Sequence, residues 1–461
     1  MKKSNVGTKI FIVFLLIGLA VGAGYIYTAP EFEREVPKIE TPKSVFWNRI
    51  APLEVKISDN VGLNRYTLTL SDGKNSMVVE EGALGGAEKE KTFLIEYPKS
   101  KVLDKKAKHL TLDIKVTDNS MWQYLKGNSA QARMKITVDY TRPNVNVVAN
   151  SRMINQGGSA LVIFQAEDDN LDALYIEANG NKFKAQPYKK EGYFASLLAW
   201  PFEIDTFSAK IIATDLAGNK RMTEIPFYHK NPRYKTSQIK ASDAFIDGKI
   251  TDLASSDPEY ATLDNRLEKL KAINETMRLK NEALIHKLGS KISKDILDVW
   301  KIHKFYPLKN GQRVASFGDH RYYYYETKEN VVSESYHVGY DLASNAMANI
   351  KTSNAGKVVF AEENGIYGNM PMIDHGLGLF SLYGHCSQIL VQEGDEVQAG
   401  QVIAKTGKTG LALGDHLHFG ILIQGIEVRP VEWFDQSWIT KFIDNVFKDA
   451  DKIIEGTPAK I

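Results

Sequence analysis

Apolar and polar residues alternate through much of the first half of the chain. LEVKIS (53–58), YTLTL (66–70), LTLDIKV (110–116) and MKITVDY (134–140) place an apolar side chain at about every second position. That period sends one face of an extended chain into a core and the other to water, so it predicts half-buried strands. Turn clusters such as SDGKN (71–75) separate them. A second set follows TRPNVNV (141–147) and repeats the first. LVIFQAEDDNLDALYIEA (161–178) echoes LEVKISDNVGLNRYTLTL (53–70), and SAKIIATDLAGN (208–219) echoes TLDIKVTDNSMW (111–122). The echo aligns Asp59 with Asp169 and Asp118 with Asp215. Aspartates in turns commonly bond to their own backbone, and these are read that way rather than as calcium ligands.

A repeat of about one hundred residues fits two immunoglobulin-like β-sandwich domains, at 45–140 and 141–230. The pattern changes on either side of them. Residues 10–27, IFIVFLLIGLAVGAGYIY, carry no charge, and Lys2, Lys3 and Lys9 precede them. At 1.5 Å per residue the run reaches ~27 Å, close to the ~30 Å hydrocarbon thickness of a bilayer. The flanking lysines place the N-terminus in the cytoplasm and send the rest of the chain across. A cleaved signal peptide is the competing reading, but no A-x-A site follows. Residues 1–30 are therefore expected to be a membrane anchor.

Residues 231–300 read as a linker that contains one long helix. Asp257 suits an N-cap and Pro258 the first helical position, and the helix should run to Leu288 and end at Gly289. Leu263, Leu267, Leu270, Met277, Leu284 and Leu288 form a stripe, with Asn274 and Asn281 at heptad a positions. Two structures fit: a parallel coiled coil whose buried asparagines fix register, or a helix docked on its own chain with both asparagines near solvent. With only about four heptads, docking is preferred.

Composition narrows the class. The 461 residues exceed one core and call for several domains. A net charge of +2, with no basic patch interleaved with aromatics, argues against nucleic acid as a partner. The single cysteine, Cys386, forbids an intrachain disulfide and reads as a small buried hydrophobe.

Chemistry concentrates late in the chain. Six of ten histidines lie between His320 and His418. In HLH (416–418) the two imidazoles share a strand face, with Leu417 and Phe419 on the other. In HVGYD (337–341) an extended chain puts His337 and Asp341 on one face, and His385 lies between the motifs in YGHCS (383–387). Either motif alone is commonplace. Together they offer two kinds of ligand that zinc accepts, and more polar groups than the three a catalytic site requires.

These residues resemble the lysostaphin-like, LytM-type zinc metallopeptidases that cut the peptides of bacterial peptidoglycan. The resemblance rests on FGDHR (317–321), HVGYDLA (337–343), IDHG (373–376), LYGHCS (382–387), GDEVQAGQVIAKTGKTG (394–410) and GDHLHFGI (414–421). It implies an antiparallel β peptidase domain, at 301–440; a short helix-like tail rich in Lys and Asp follows at 441–461. It implies that His337, Asp341 and His418 bind Zn2+ and that His385 and His416 are the catalytic pair that does not. A neutral imidazole can take a proton from water and later return one to a leaving amine; the sequence does not apportion those roles. Together with the anchor, the resemblance implies an inner-membrane D,D-endopeptidase, single-pass with its bulk in the periplasm, acting on peptide cross-links. The alternative is a non-catalytic regulator of another wall hydrolase.

Look-alikes are set aside. AKTGKTG (404–410) suggests a phosphate loop, but six residues separate Gly400 from Gly407 where that motif needs four. His375 is expected to be structural and His320 exposed beside Arg321, while Arg321 and Tyr322 to Tyr325 are candidates for a substrate groove.

Overall fold

The structure is a computed structural model that describes residues 6–456. Lys2 and Lys3, part of the orientation argument, lie outside the described residues. The chain divides into two compact units: residues up to 142 with 214–220, and residues 143–213 with 221 onward.

In the first unit a helix spans Val6–Thr28, longer at its start than the apolar run alone. It buries none of its residues and is long and apolar enough to cross a membrane. The alternating segments form two sheets. One orders Lys38–Glu40, Leu53–Ser58 and Glu90–Ile95. The other orders Ser44–Trp47, Ser129–Val138, His109–Asp118, Leu63–Ser71 and Ser76–Ala83. Val55 and Ile57 of the first meet Leu68, Leu70, Leu112, Ile114 and Val116 of the second in one core. Each such side chain contributes roughly 1.5–3 kcal/mol on burial.

The second unit opens with another pair of sheets. Gln186–Pro187, Tyr193–Ala199, Ser159–Glu167 and Asn144–Asn150 form one; Asn181–Lys184, Leu171–Ala178, Ala209–Asp215 and Lys220–Glu224 form the other. The echo in sequence is an echo in topology. In both sandwiches the first echoed strand lies in one sheet and the next two pair in the other. The aspartate alignment shifts by one residue, however. Asp59 caps Val61 and Gly62 through their N–H groups, and the equivalent turn uses Asp168, which accepts from Asn170, rather than Asp169.

Ser159–Glu167 does not alternate; it is buried on both faces over most of its length. The stretch expected as a tail is the reason. A helix at Asn445–Ile454 turns Val446, Phe447, Ala450 and Ile454 inward, and they join the same core. Ser151 Oγ donates to the Phe442 carbonyl at 2.6 Å, and the Tyr188 hydroxyl to Asp451 at 2.5 Å.

Beyond residue 300 the principal sheet orders Gln312–Ala315, Tyr340–Ala343, Leu417–Ile423, Leu379–Gly384, Asn369–Asp374, Gly356–Glu363 and Glu396–Val397, antiparallel throughout. Leu417, Phe419, Ile421 and Ile423 face one core; Leu422 faces another. That second core is closed by the segment read as a linker.

The single helix expected at 258–288 is broken. Asp257 caps Pro258–Ala261 as anticipated, but the helix stops there. Asn265 then caps a new one through Leu267 and Glu268, and it continues to Gly289 with a π-helical turn at Ala272–Met277. A π turn holds more residues per turn and so rotates the buried face. Leu270, Ile273, Met277 and Ile285 pack on Met370, Met372, Phe380 and Leu382, and Leu263, Leu267 and Leu288 of the expected stripe lie half-buried against the same core. The helix docks on its own chain, yet Asn274 and Asn281 are buried rather than near solvent.

Candidate metal centre

His337 and Asp341 meet by a route other than one extended strand. The strand Val331–His337 pairs with Asp319–Tyr324 in a separate hairpin, and it ends at His337. Val338 and Gly339 bend the chain, and Asp341 enters the principal sheet on Tyr340–Ala343. There it stands directly opposite His418. Gly339 has no substitute at the bend, because a Cβ there would lie 2.3 Å from the His418 ring.

Three atoms converge. His337 Nε2 lies 2.9 Å from Asp341 Oδ1, His418 Nδ1 lies 2.8 Å from the same oxygen, and the two nitrogens are 3.1 Å apart. His337 Nδ1 donates to the Ser316 carbonyl at 2.9 Å, which leaves Nε2 with its lone pair toward the cluster. All three residues are buried. Burial works to raise the Asp341 carboxyl, but the facing His337 and His418 imidazoles outweigh it and hold the group well below the usual carboxylate range. Burial takes His418 down to about 4 despite Asp341 beside it. A buried carboxylate facing two imidazole nitrogens is a donor set suited to a divalent cation.

The other two histidines share the cleft. His385 follows the strand Leu379–Gly384 in a left-handed conformation, φ 64°, which turns its ring toward His416. Their ring centres are 4.8 Å apart, and that of His385 is 5.7 Å from His418. His385 Nδ1 donates to the Thr409 carbonyl at 2.8 Å and His416 Nδ1 to that of Gly414 at 2.9 Å. Each ring therefore keeps its Nε2 free. Burial first, then the His418 and His416 rings, push His385 well below its ordinary value, so it is neutral.

Residues 335–430 match the sequence model of Peptidase family M23. The C-terminal part of this chain is an M23 domain. The chain is 30% identical over 173 residues to the peptidoglycan DD-endopeptidase ShyA of Vibrio cholerae, covering 38% of each. It is 39% identical over 95 residues to the DD-carboxypeptidase/endopeptidase Mpg of Neisseria meningitidis, 21% of this chain and 22% of that protein. It is 38% identical over 106 residues to the murein hydrolase activator NlpD of Salmonella dublin, 23% of this chain and 28% of that protein. The chain thus spans well under half the length of these relatives.

Much of the wall around the M23 site comes from outside the matched segment. A cleft of about 460 Å³ holds all five residues, and Lys240, Phe245, Arg278, Arg321 and Tyr323 line it as well. The strand Thr236–Lys240 pairs parallel with Asp319–Tyr324, which brings Lys240 to the rim. Tyr367 packs edge-on against His418 at 5.4 Å. No local pattern marks Arg278 or Tyr367; their roles arise from packing of distant segments. Of the tyrosines proposed for a groove, Tyr323 lines the cleft. His320 is half-buried, stacked on Tyr336 at 4.2 Å, with Nε2 3.1 Å from Glu334. His375 donates to the Ala355 carbonyl at 2.8 Å, meets Ser381 Oγ at 2.7 Å, and does not join the cleft. Cys386 is buried, its Sγ 3.1 Å from the Tyr383 carbonyl.

Proposed function

We propose that the chain is a zinc-dependent peptidoglycan D,D-endopeptidase, held in the inner membrane by its first helix, with its bulk in the periplasm. The observation that carries this reading is the convergence of His337 Nε2, Asp341 Oδ1 and His418 Nδ1 at 2.8 to 3.1 Å. Ligand atoms 2.0–2.1 Å from one tetrahedral ion stand about 3.3 Å apart, so a small outward movement of these atoms would seat zinc. Those three residues would hold it, and when bound it supplies Lewis acidity and a water that ionises near neutral pH.

The remaining chemistry belongs to His385 and His416. Each has its Nδ1 hydrogen committed to a backbone carbonyl, so each presents a lone pair at Nε2. In that state either can accept a proton from the attacking water. Once protonated, the same nitrogen becomes a donor, able to steady the developing oxyanion or protonate the leaving amine. The carbonyls of Thr409 and Gly414 hold the rings in the tautomer that this requires.

A second reading is a non-catalytic regulator, favoured by the likeness to the activator NlpD over 106 residues. One experiment separates them. Purified sacculi are digested with the zinc-loaded protein and the muropeptides are separated by chromatography. Cross-linked dimers should become monomers, with glycan strands unshortened. Persistent dimers with trimmed monomers or free stem peptides would instead indicate a carboxypeptidase or an amidase, and an unchanged profile would indicate the regulator.

A further inference from the structure

Arg278 stands in the cleft on a helix that precedes the M23 segment. What holds it there is a chain of contacts that begins beside the metal centre. On the strand Val331–His337, alternate residues face inward, so Ser333, Ser335 and His337 share one side. Asn274, fully buried, donates from Nδ2 to Ser333 Oγ at 2.9 Å and accepts from Ser335 Oγ at 3.3 Å. One turn further along the helix, Arg278 donates from Nε to the Asn274 carbonyl at 2.9 Å and from Nη2 to its Oδ1 at 3.0 Å. The guanidinium is thus aimed by a neutral amide and not by a carboxylate. Glu282, the next acid on that helix, faces the Tyr367 hydroxyl at 3.5 Å, and is near enough that the Arg278 charge opposes the upward push of burial on its carboxyl.

Arg321 is placed differently. That guanidinium, in the same cleft, already lies 3.4 Å from Asp319 and 3.8 Å from Asp341. Lys240, exposed, adds a further cation to the lining of the cleft. An arginine whose fork is oriented in advance and still carries unused N–H groups suits a carboxylate, which it can bind with two parallel hydrogen bonds.

We propose that Arg278, assisted by Lys240, forms a carboxylate subsite that fixes an acidic peptide relative to the metal centre. The inference rests on the endopeptidase reading and extends it to the substrate's charge. The carboxylate could be the terminal one of the peptide or one on a side chain, and the test distinguishes them. Three cross-linked peptides are compared with the full-length, zinc-loaded protein: one unmodified, one amidated at its C-terminus, one amidated at its side-chain carboxylate. Cleavage is followed by chromatography, and binding of each labelled peptide by fluorescence anisotropy.

The wild-type chain should prefer the unmodified peptide over one of the two amides by about 10- to 100-fold in kcat/KM, the range for a charge-assisted hydrogen bond. The amide that loses identifies the carboxylate. In Arg278→Gln that ratio should fall to near one, carried by KM; Arg278→Lys should restore part of it, and Lys240→Gln should reduce it less. Because the ratio is taken within each protein, a general loss of activity does not mimic the result. A wild-type protein that cuts all three peptides equally overturns the subsite and leaves the hydrolase. So does a preference that survives Arg278→Gln. A protein that cuts none but binds the unmodified peptide preferentially through Arg278 overturns the hydrolase and supports the subsite; one that neither cuts nor discriminates overturns both.

Discussion

His385 and His416 reach the cleft from different segments, their ring centres 4.8 Å apart, and both spend their Nδ1 hydrogen on a backbone carbonyl. His416 Nε2 stands 3.7 Å from Asp341 Oδ2, and the His385 ring centre 5.7 Å from that of His418. That separation divides binding from turnover. Asp341→Ala and His418→Ala should lose both zinc and activity. His385→Ala should keep most of its zinc and lose about 10²- to 10⁴-fold in turnover, the usual weight of a general base. Metal content by atomic spectroscopy, measured beside wall hydrolysis, decides the matter. A His385→Ala protein working at the parent rate would remove that residue from the mechanism.

The docked helix sets a limit on truncation. Leu270, Ile273, Met277 and Ile285 are each at most 3% exposed, packed on the sheet that carries His418. Together they represent about 6–12 kcal/mol of burial, comparable with the whole stability of a domain. A chain beginning near Lys301 is therefore expected to aggregate or to unfold without cooperativity, whereas one beginning near Pro143 keeps the helix and should melt as a unit. Gel filtration and thermal unfolding would show it. A soluble, cooperative and active chain from Lys301 would mean that the helix is dispensable.

What the sequence disclosed follows from how local each signal is. The strand period marks the first sandwich because alternation is written within six to ten residues; the echo carries the reading to the second, whose strand Ser159–Glu167 does not alternate. HVGYD and HLH named the cluster, but the extended chain assumed for the first was wrong: Gly339 permits a bend beneath the His418 ring that a strand argument cannot foresee. The helix at Arg266–Gly289 is visible as a period, but the π turn at Ala272–Met277, which widens the buried face to Ile273 and Ile285, is not. Arg278 was silent, since it reaches the cleft only through Asn274 and a strand 59 residues away. The helical tail is legible, but the docking of Asn445–Ile454 is not, because its apolar stripe lies among lysines and aspartates.

Glu432 should make stability depend on pH. It is buried; Asn155 Nδ2 donates to it at 2.6 Å and the Ser159 N–H at 3.2 Å. Burial pushes its carboxyl up from 4.5 to about 7. A raised acid binds its proton more readily folded than unfolded, so its stabilising contribution is full below 4.5 and is lost as pH rises toward 7. The loss is on the order of 3 kcal/mol. In Glu432→Gln the Ser159 N–H faces an amide nitrogen and the variant should be less stable at pH 4.5, but the gap should narrow by pH 8. Urea unfolding of parent and variant at both values tests this; a gap that stays constant would exclude Glu432 as its source.

Asn281 offers a test in which two structures predict opposite signs. At an a position of a parallel coiled coil, a buried asparagine costs stability, and Asn281→Leu should raise the melting temperature and strengthen association. In the docked helix its role differs. Asn281 Oδ1 accepts from the Ile366 N–H at 2.9 Å, its carbonyl accepts from Asn364 Nδ2 at 3.2 Å, and the amide sits where a Cβ on Gly365 would be, 2.4 Å away. Leucine would leave the Ile366 N–H buried without a partner, at about 1–3 kcal/mol, and would crowd the turn at Gly365. That turn leads into Tyr367, whose ring stands 5.4 Å from His418, so the strain falls on a neighbour of the metal centre. Asn281→Leu is thus expected to lower the melting temperature, leave the sedimentation behaviour unchanged and weaken zinc retention. A variant that melts higher and sediments as a larger species would reverse the assignment of this helix.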